Sequence, residues 1–361
     1  MKIGILTYHR SHNYGALLQA VALRKAVESL GHEVYYIDYF PDYHREMYKW
    51  FSMYAFKKQN IRGKLRYIKN AVKKYAYWKQ RRGHFLQFQK EFIFPYCKGM
   101  NETFDVVLYG SDQIWRKQYI TNVYNPVYFG KNDISAKRHV SYAASMGILP
   151  NSDEDNPVLK ELLSNLDSIS VREQGLLNVV KSLGIKNVEL VLDPTLLLSR
   201  KEWDELIPSK RLVPEPYCLF YSLIKDSFEE SKIRQFALER DLRFITLTGA
   251  ASQKQTYDKR TVDGPFEFVN LIRHADFIFT SSYHGMVFSL IYNRPFYASF
   301  SRNGDRAASL LHTIGLDVHL LKAKSVIPNY TDYDSSCMDK LEPMIYKSIE
   351  FIKSNIVTDE A

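Results

Sequence analysis

Short apolar runs alternate along this chain with stretches whose apolar residues recur at helical spacing. The first unit joins an apolar run over residues 3–8, a polar loop over 9–14, helical spacing over 15–30 and a second apolar run over 34–39. Asn13, just before the helical stretch, is a residue type that favours the N-cap position. The unit therefore predicts a strand, a helix and a second strand.

The same alternation continues in two series. Further strand-type runs of the first series lie at residues 104–109, 139–144, 168–171 and 188–192. Prolines interrupt the pattern between residues 195 and 216, which is typical of a linker. The second series has strand-type runs at 217–224, 244–247, 277–280 and 295–299, with helical spacing at 228–240, 265–274 and 306–314.

Strands that alternate with helices predict an α/β protein with parallel sheets. We expect two Rossmann-like domains, residues 1–200 and 215–335, facing a cleft as in the glycosyltransferase-B architecture. Residues 336–361 add a C-terminal helix, and the sequence leaves open whether that helix crosses back to the first domain.

Residues 44–94 interrupt the alternation and predict a basic helical insertion in the first domain. Thirteen Lys and Arg residues lie between positions 44 and 84, together with one acid, Glu46. Steps of four and three separate a set of apolar residues that predicts one face of a helix, namely Ile61, Leu65, Ile68, Val72 and Tyr75. This helix either lies on an anionic membrane or partner surface, or packs its apolar stripe on the domain. We favour the packed arrangement, although a lipid-linked substrate would favour the membrane.

Composition and charge exclude several classes. The net charge is +9, so the chain outside residues 44–84 is slightly negative, and no nucleic-acid-binding module is recognisable. The three cysteines, Cys97, Cys218 and Cys337, are far apart, which favours a reducing compartment over a disulfide framework. Residues 1–6 indicate a strand rather than a signal peptide, and no run approaches the roughly 20 apolar residues of a spanning helix. We expect a cytoplasmic protein, with contact at the inner membrane left open.

Polar turns follow several of the predicted strands, and the most informative one follows residues 277–280. There Ser282, His284 and Gly285 lie between a strand and a helix. Open α/β folds bind ligands at the carboxyl ends of their strands, and a helix N-terminus at that edge favours an anion. The loop after the first strand holds a single glycine, Gly15, and no GxGxxG motif, so a dinucleotide site is not supported.

Five short motifs then occur in order: NYGALLQA at 13–20, GSDQIW at 110–115, SVRE at 170–173, LDPTLL at 192–197 and SYHG at 282–285. Together they resemble the polysaccharide pyruvyl transferase family, over roughly residues 1–315. The resemblance implies transfer of a pyruvyl group from phosphoenolpyruvate to a sugar, usually as a ketal on two hydroxyls. It also implies the two-domain glycosyltransferase-B-like fold, no metal, and no cofactor besides the donor substrate.

The resemblance also implies roles for particular residues. The catalytic histidine of the family falls on His284, and its substrate-binding arginine falls on Arg172. Many relatives have arginine where this chain has Ser282, which removes an expected contact with the donor anion. Arg302 and Arg306, a short distance downstream, are candidates to supply the missing charge.

The chemistry of phosphoenolpyruvate calls for these residue types. Its phosphate and carboxylate suit guanidinium groups and helix N-termini, and protonation of its methylene carbon suits histidine as general acid. Asp112 is our candidate base, ahead of Asp193, although such aspartates more often bind the backbone of their own turn. Further candidates for substrate binding are Asn13, Gly15, Ser111, Ser282, Gly285, Arg302 and Arg306.

Three functions remain after these considerations. We expect a pyruvyl transferase whose acceptor is a sugar of a bacterial surface polysaccharide or of its polyprenyl-linked precursor. A nucleotide-sugar glycosyltransferase of the same fold is the alternative and would release a nucleoside diphosphate. A non-enzymatic nucleic-acid binder is disfavoured by the near-neutral remainder of the chain.

Overall fold

The computed structural model describes residues 1–118, 121–150, 152–223, 227–248, 256–300, 305–323, 325–328 and 335–356. Within these ranges, two parallel sheets form the framework. The strands of the first sheet are β1 (Lys2–Leu6), β2 (Glu33–Ile37), β3 (Cys97–Lys98), β4 (Thr103–Asp112), β5 (Ser135–Ala144), β6 (Ser168–Val171) and β7 (Val188–Leu190). Those of the second sheet are β8 (Tyr217–Tyr221), β9 (Arg243–Leu247), β10 (Lys259–Arg260), β11 (Phe277–Thr280) and β12 (Phe296–Ala298).

Helices connect most of these strands. Those of the first part of the chain are α1 (Tyr14–Glu28), α2 (Asp42–Met47), α3 (Met53–Lys57), α4 (Ile61–Phe92), α5 (Ser152–Leu163), α6 (Gln174–Ser182) and α7 (Arg200–Leu206). The later ones are α8 (Glu230–Leu238), α9 (Pro265–His274), α10 (Tyr283–Ile291), α11 (Asp305–Thr313) and α12 (Glu342–Ile356).

Both sheets have the strand order of a Rossmann fold. The first runs β3-β2-β1-β4-β5-β6-β7 and the second β10-β9-β8-β11-β12, and every pairing is parallel. The order reverses between β1 and β4 in the first sheet and between β8 and β11 in the second. Ligands bind beyond the carboxyl ends of strands at such switch points. The predicted α/β class with two Rossmann-like domains is therefore confirmed.

Helix α1 lies between the two halves of the molecule. Most of its residues are buried, because it packs on the first sheet on one side and on the other contacts α9 and, through Gly15, His284 of α10. The ring of Tyr14 stacks on Phe268 at 4.6 Å, and its hydroxyl donates to the Asp263 carbonyl at 2.9 Å. The loop after β1 is thereby held against the second sheet.

Helix α12 packs on the first sheet although it follows the second in the chain. The Ser348 hydroxyl accepts a hydrogen bond from the Leu192 amide at 2.9 Å. Arg138 of β5 donates to the Asn355 side chain at 3.3 Å, and the Phe351 ring lies 6.4 Å from the ring of Tyr142. The last helix thus covers one face of β5.

Two expectations from the sequence need correction. Strand β4 continues to Asp112, and its last residues pair with β5, because Gly110 and Asp112 lie opposite Tyr142 and Ala144. The predicted turn at 110–115 therefore begins only after Asp112. In the insertion, the stripe from Ile61 to Tyr75 is exposed, so the interpretation that it packs on the domain is wrong.

Among the described residues, no helix has both the length and the hydrophobicity required to cross a bilayer.

Candidate active site

A cavity of about 340 Å³ lies where the carboxyl ends of the two sheets meet. Its lining comes from the loop after β1 (Ser11, Asn13), the segment after β4 (Gln113, Arg116, Lys117, Gln118), helix α2 with Tyr48, the turn after β11 (Ser281, Ser282, Tyr283, His284), and α11 (Arg306). The volume suits a small-molecule ligand. Both switch points therefore open into one cleft.

Two helix N-termini border this cavity. Asn13 caps α1, where its side-chain oxygen accepts from the Ala16 amide at 3.2 Å. Ser282 caps α10 in the same way, accepting from the Gly285 amide at 3.3 Å. The partial positive charge of a helix N-terminus favours a bound anion, so both caps face a site suited to negative charge.

His284 lies in the first turn of α10 and contacts both halves of the molecule. Its Nε2 is 3.5 Å from the Asp193 carboxylate, which follows β7 of the first sheet. On another side the ring packs against Gly15 of α1, where an added Cβ would lie 1.9 Å from Nδ1. Gly15 is therefore the residue that leaves space for the imidazole.

Asp193 is a buried carboxylate that contacts the His284 ring. Its carboxylate is fully buried, pairs with Arg172, and accepts from the Thr195 amide at 3.0 Å and hydroxyl at 2.7 Å. Burial alone would raise the pKa of Asp193, but attraction from His284 and Arg172 outweighs it and holds the pKa well below its ordinary value. Asp193 thus stays ionised and orients His284. It does not line the cavity where a base would act.

Arg172 lies behind the cavity wall. Its side chain has no exposed surface, pairs with Asp193, and has Nη2 3.5 Å from the Asp112 carboxylate. Although burial opposes the charge, the Asp193 carboxylate raises the pKa of Arg172 above its ordinary value. In this arrangement Arg172 fixes the two aspartates and does not itself reach into the cavity.

Arg306 is one of three cations that line the cavity, the others being Arg116 and Lys117. Within the described residues it has no carboxylate within ion-pair distance, and its Nε has no hydrogen-bond partner. Burial, followed by repulsion from Arg172, lowers the pKa of the Arg306 guanidinium. The guanidinium carbons of Arg306 and Arg172 lie 5.0 and 5.1 Å, respectively, from the ring centroid of Tyr283. An arginine remains charged in proteins, so an unpaired one in a cavity is suited to an anionic ligand.

Asp112 is partly exposed in the cavity and has a backbone φ of 69°. A positive φ is uncommon for a residue with a side chain and is often retained at functional sites. The other predicted residue of this segment, Ser111, is buried, and its hydroxyl donates to the Ala143 carbonyl at 3.1 Å. Ser111 therefore supports the strand end, whereas Asp112 faces the cavity.

The remaining residues predicted to bind substrate are Gly285, Asn13, Ser282 and Arg302. Gly285 lies in the turn, where a Cβ would approach the Thr280 hydroxyl to 2.5 Å, so it permits the tight strand-to-helix turn. Asn13 and Ser282 both line the cavity. Arg302 lies outside the described residues.

Helix α2 and the adjacent Tyr48 contribute a wall that the sequence analysis missed. Tyr43, His44 and Tyr48 line the cavity, and the His44 ring lies 4.1 Å from that of Tyr8 in an edge-to-face contact. Burial lowers the pKa of His44 to about 4, so its imidazole is neutral at physiological pH. No periodic pattern marks this short stretch, and only its richness in aromatic residues could have drawn attention to it.

One cluster with metal-ligand spacing occurs among the described residues, and it is separate from the cavity lining. It consists of His9, Asp38 and Cys97. Arg10 already forms a two-point ion pair with the Asp38 carboxylate, and burial raises the pKa of the Cys97 thiol to about 12. A protonated thiol and a neutralised carboxylate are poor metal ligands.

The fold consists of two Rossmann-like halves with a cavity at the carboxyl ends of both sheets. The sequence profile of the polysaccharide pyruvyl transferase family matches residues 13–303. This chain therefore belongs to the polysaccharide pyruvyl transferase family, as its motifs had indicated, and membership indicates a pyruvyl transferase. No curated protein matches the sequence.

Several solved structures resemble the chain in fold. UDP-N-acetylglucosamine 2-epimerase from Rickettsia bellii has 10% identity and a TM-score of 0.50, with 98% of this chain and 96% of that chain covered. MnaA of S. aureus with UDP has 13% identity and a TM-score of 0.46, covering 99% and 92%. The E. coli heptosyltransferase WaaC with ADP has 12% identity and a TM-score of 0.42, covering 98% and 100%. At these identities the likeness concerns the fold alone.

Proposed function

We propose that this enzyme transfers the pyruvyl group of phosphoenolpyruvate to a sugar as a pyruvate ketal. The observation that carries the proposal is the combination, in one cavity, of an unpaired arginine, two helix N-termini and a histidine backed by an ionised aspartate. The arginine and the helix N-termini suit the two anionic groups of phosphoenolpyruvate, and the histidine suits the role of proton donor.

Donor binding rests on Arg306 and the two helix caps. The guanidinium can bind a carboxylate or a phosphate through two parallel hydrogen bonds, which is the strongest mode open to it. Arg116 and Lys117 line the same cavity and add positive charge. Lys117 pairs with Asp155 and Arg116 is exposed to solvent, so Arg306 is the best placed of the cations for the donor.

His284 acts as the general acid in this proposal. It delivers a proton to the methylene carbon C3 of phosphoenolpyruvate, whose π electrons form the new C–H bond and leave C2 electrophilic. The Asp193 carboxylate lies 3.5 Å from Nε2 and holds the ring in place for this step. Gly15 and Asp193 together fix the ring in position, which is the main condition for efficient proton transfer.

The acceptor completes the reaction. One sugar hydroxyl bonds to C2 and gives its proton to Asp112, the C2–O bond to phosphate breaks, and phosphate leaves with the electron pair. A second hydroxyl then bonds to C2 and closes the ketal. Of the two hydroxyl protons released, one balances the proton delivered to the new methyl group and the other leaves with phosphate.

We further propose that the acceptor is a sugar of a bacterial surface polysaccharide, or of its polyprenyl-linked precursor. The aromatic wall of Tyr8, Tyr43 and Tyr48 supports a sugar in the cavity, because such rings pack on the apolar faces of pyranoses. The proposal locates the enzyme in the cytoplasm beside the inner membrane, where the donor and such precursors are both accessible.

A phosphate-release assay tests this proposal. Phosphoenolpyruvate is incubated with a panel of galactosides and N-acetylmannosaminyl acceptors, and we expect acceptor-dependent phosphate from the wild type. His284→Ala should lower the rate by about 10²- to 10⁴-fold, the usual contribution of a general acid. His312→Ala, which changes an exposed histidine paired with Asp317, is the matched control.

The alternative function is tested in the same experiment. A nucleotide-sugar glycosyltransferase would release a nucleoside diphosphate from nucleotide sugars and leave phosphoenolpyruvate intact. Release of a nucleoside diphosphate from nucleotide sugars contradicts the proposal, and so does equal phosphate release by the wild type and His284→Ala.

A further inference from the structure

Exposed apolar side chains are concentrated in one short part of the chain. Of the twenty large apolar side chains that are exposed among the described residues, nine lie between positions 47 and 75. They are Met47, Trp50, Met53, Tyr54, Ile61, Leu65, Ile68, Val72 and Tyr75. We call this surface the 47–75 face. Single exposed apolar residues are ordinary, whereas a contiguous patch marks a binding surface.

The stripe on α4 is not the face with which this helix packs. Ile61, Leu65 and Val72 are 80%, 67% and 65% exposed. Gly63 is buried on the opposite side of the helix, where Tyr67 packs edge-to-face on Phe51 of the preceding segment at 5.2 Å. The stripe runs about 21 Å from Ile61 to Tyr75 at 1.5 Å per residue. Helix α4 thus has one apolar side that packs and a second that faces solvent.

Positive charge borders the stripe on both sides. At about 3.6 residues per turn, Lys64 lies along one edge of the stripe, and Arg62 and Lys69 lie along the other. Between residues 57 and 79, all of which are described, no Lys or Arg side chain forms an ion pair. The charges are therefore available to an anionic partner.

We propose that the 47–75 face binds an anionic lipid bilayer, with α4 lying in the plane of the interface. An amphipathic helix with an apolar stripe and flanking Lys and Arg residues is suited to this position. A second copy of this chain is a poor occupant, because pairing two such faces would bring like charges together. Nucleic acid would use the charges and leave the apolar stripe in water.

The 47–75 face continues to the active-site cavity. A second cavity of about 310 Å³ lies between them and is lined by Arg45, Trp50, Trp78 and Arg82. Tyr48 lines both cavities, and on the other side the Trp50 ring lies 5.1 Å from that of Tyr75 in the stripe. If the proposed function holds, the phosphate of a lipid-anchored acceptor would lie in this basic second cavity while its sugar occupies the catalytic cleft. Membrane binding itself does not depend on that function.

Vesicle co-sedimentation of the full-length protein tests the proposal. We expect binding to vesicles that contain phosphatidylglycerol, little binding to phosphatidylcholine alone, and weaker binding as salt rises. Each basic residue near an anionic surface strengthens binding by about fivefold, so the variant Lys64→Gln/Lys69→Gln/Lys73→Gln should bind about 100-fold more weakly. The variant Leu65→Ser/Val72→Ser should bind at least tenfold more weakly.

Matched controls remove the same charge or the same apolar surface elsewhere. Lys160→Gln/Lys181→Gln/Lys186→Gln changes three exposed lysines, and Leu238→Ser/Val318→Ser changes two exposed apolar residues of the second half. Both controls should bind like the wild type, and circular dichroism checks the fold of every variant. Phosphate release with a water-soluble acceptor should be unchanged in all of them, which separates this proposal from the proposed function.

Three outcomes overturn the proposal. The first is absence of binding to anionic vesicles, and the second is equal binding by the wild type and both face variants. The third is a dimer in analytical ultracentrifugation that Leu65→Ser/Val72→Ser converts to a monomer, which would assign the face to a second copy of the chain.

Discussion

Replacing Gly15 by Ala should inactivate the enzyme without unfolding it. The added Cβ would lie 1.9 Å from Nδ1, 2.3 Å from Cε1 and 2.4 Å from Cγ of His284. Ordinary contact begins at 3.4 Å, so the ring has to retreat by about 1.5 Å. The ring cannot simply turn aside, because Asp193 and Tyr283 pack against it. A displacement of about 1 Å in a catalytic group typically costs about 10²-fold in rate.

The assay is the steady-state rate of phosphate release, with thermal unfolding measured in parallel. Crowding of this kind costs about 1–3 kcal/mol of stability, partly offset by about 1 kcal/mol because alanine is the better helix former. We therefore expect kcat to fall at least 100-fold while the protein remains folded. Gly83→Ala in α4, where a Cβ meets nothing within 4 Å, is the matched control and should retain full activity. A folded Gly15→Ala enzyme with the wild-type rate would refute the placement of His284 at the catalytic centre.

Three further predictions address the charges around the cavity. Arg306→Gln should raise KM for phosphoenolpyruvate about 10- to 100-fold, since a hydrogen bond to a charged group is worth about 1.5–3 kcal/mol, and an unchanged KM contradicts donor binding there. Asp193→Asn should lower the free energy of unfolding at pH 7, measured in urea, by about 3 kcal/mol, because the buried Arg172 guanidinium loses its closest partner. Because the pKa of Asp193 is depressed in the folded state, its contribution to stability is fully present above the unfolded pKa of about 4. That contribution is lost progressively as the pH falls from there towards the folded pKa. Burial lowers the pKa of His44 from 6.5 to about 4, so the unfolded chain binds the proton first, and the wild type should lose about 2 kcal/mol between pH 7.5 and 5 from this residue. His44→Gln should remove that part of the pH dependence of the free energy of unfolding, measured in urea. If the wild type and His44→Gln instead lose stability in parallel as the pH falls, the pKa of His44 is not lowered in the folded state.

The sequence predicted those features that depend on local pattern. The turn after β11 was identified because an apolar run ends at Thr280, a short polar stretch follows, and apolar residues then recur at helical spacing. The same reasoning placed Asn13 at the start of α1. Parallel strands bring their carboxyl ends to one edge, so these turns were expected to meet, and they do.

Features that depend on which side chains meet across the cleft could not be predicted. Arg172 follows a strand as a ligand-binding arginine would, but its direction is fixed by Asp193, which lies 21 residues later in the chain. Conversely, Gly15 was predicted to lie near the substrate, and its main consequence is the space it leaves for His284. Neither the contact between Arg172 and Asp193 nor that between Gly15 and His284 is indicated by a periodic pattern or a local motif in the sequence.

Helix α4 illustrates a different limit. Periodicity identified the stripe from Ile61 to Tyr75 correctly as one face, but a period does not say which face of a helix is buried. A second set of small and aromatic residues, including Gly63 and Tyr67, provides the packed side, because small side chains allow α3 and its flanking residues to approach. The more conspicuous stripe was therefore assigned to the wrong environment.

The most direct test of the central claim is the mass of the acceptor after incubation with ¹³C-labelled phosphoenolpyruvate. We predict that the wild type adds one labelled pyruvate minus one water, with one phosphate released for each acceptor modified, and that His284→Ala does not. An acceptor that remains unmodified while a nucleotide sugar is consumed, or equal labelling by His284→Ala, would contradict the account.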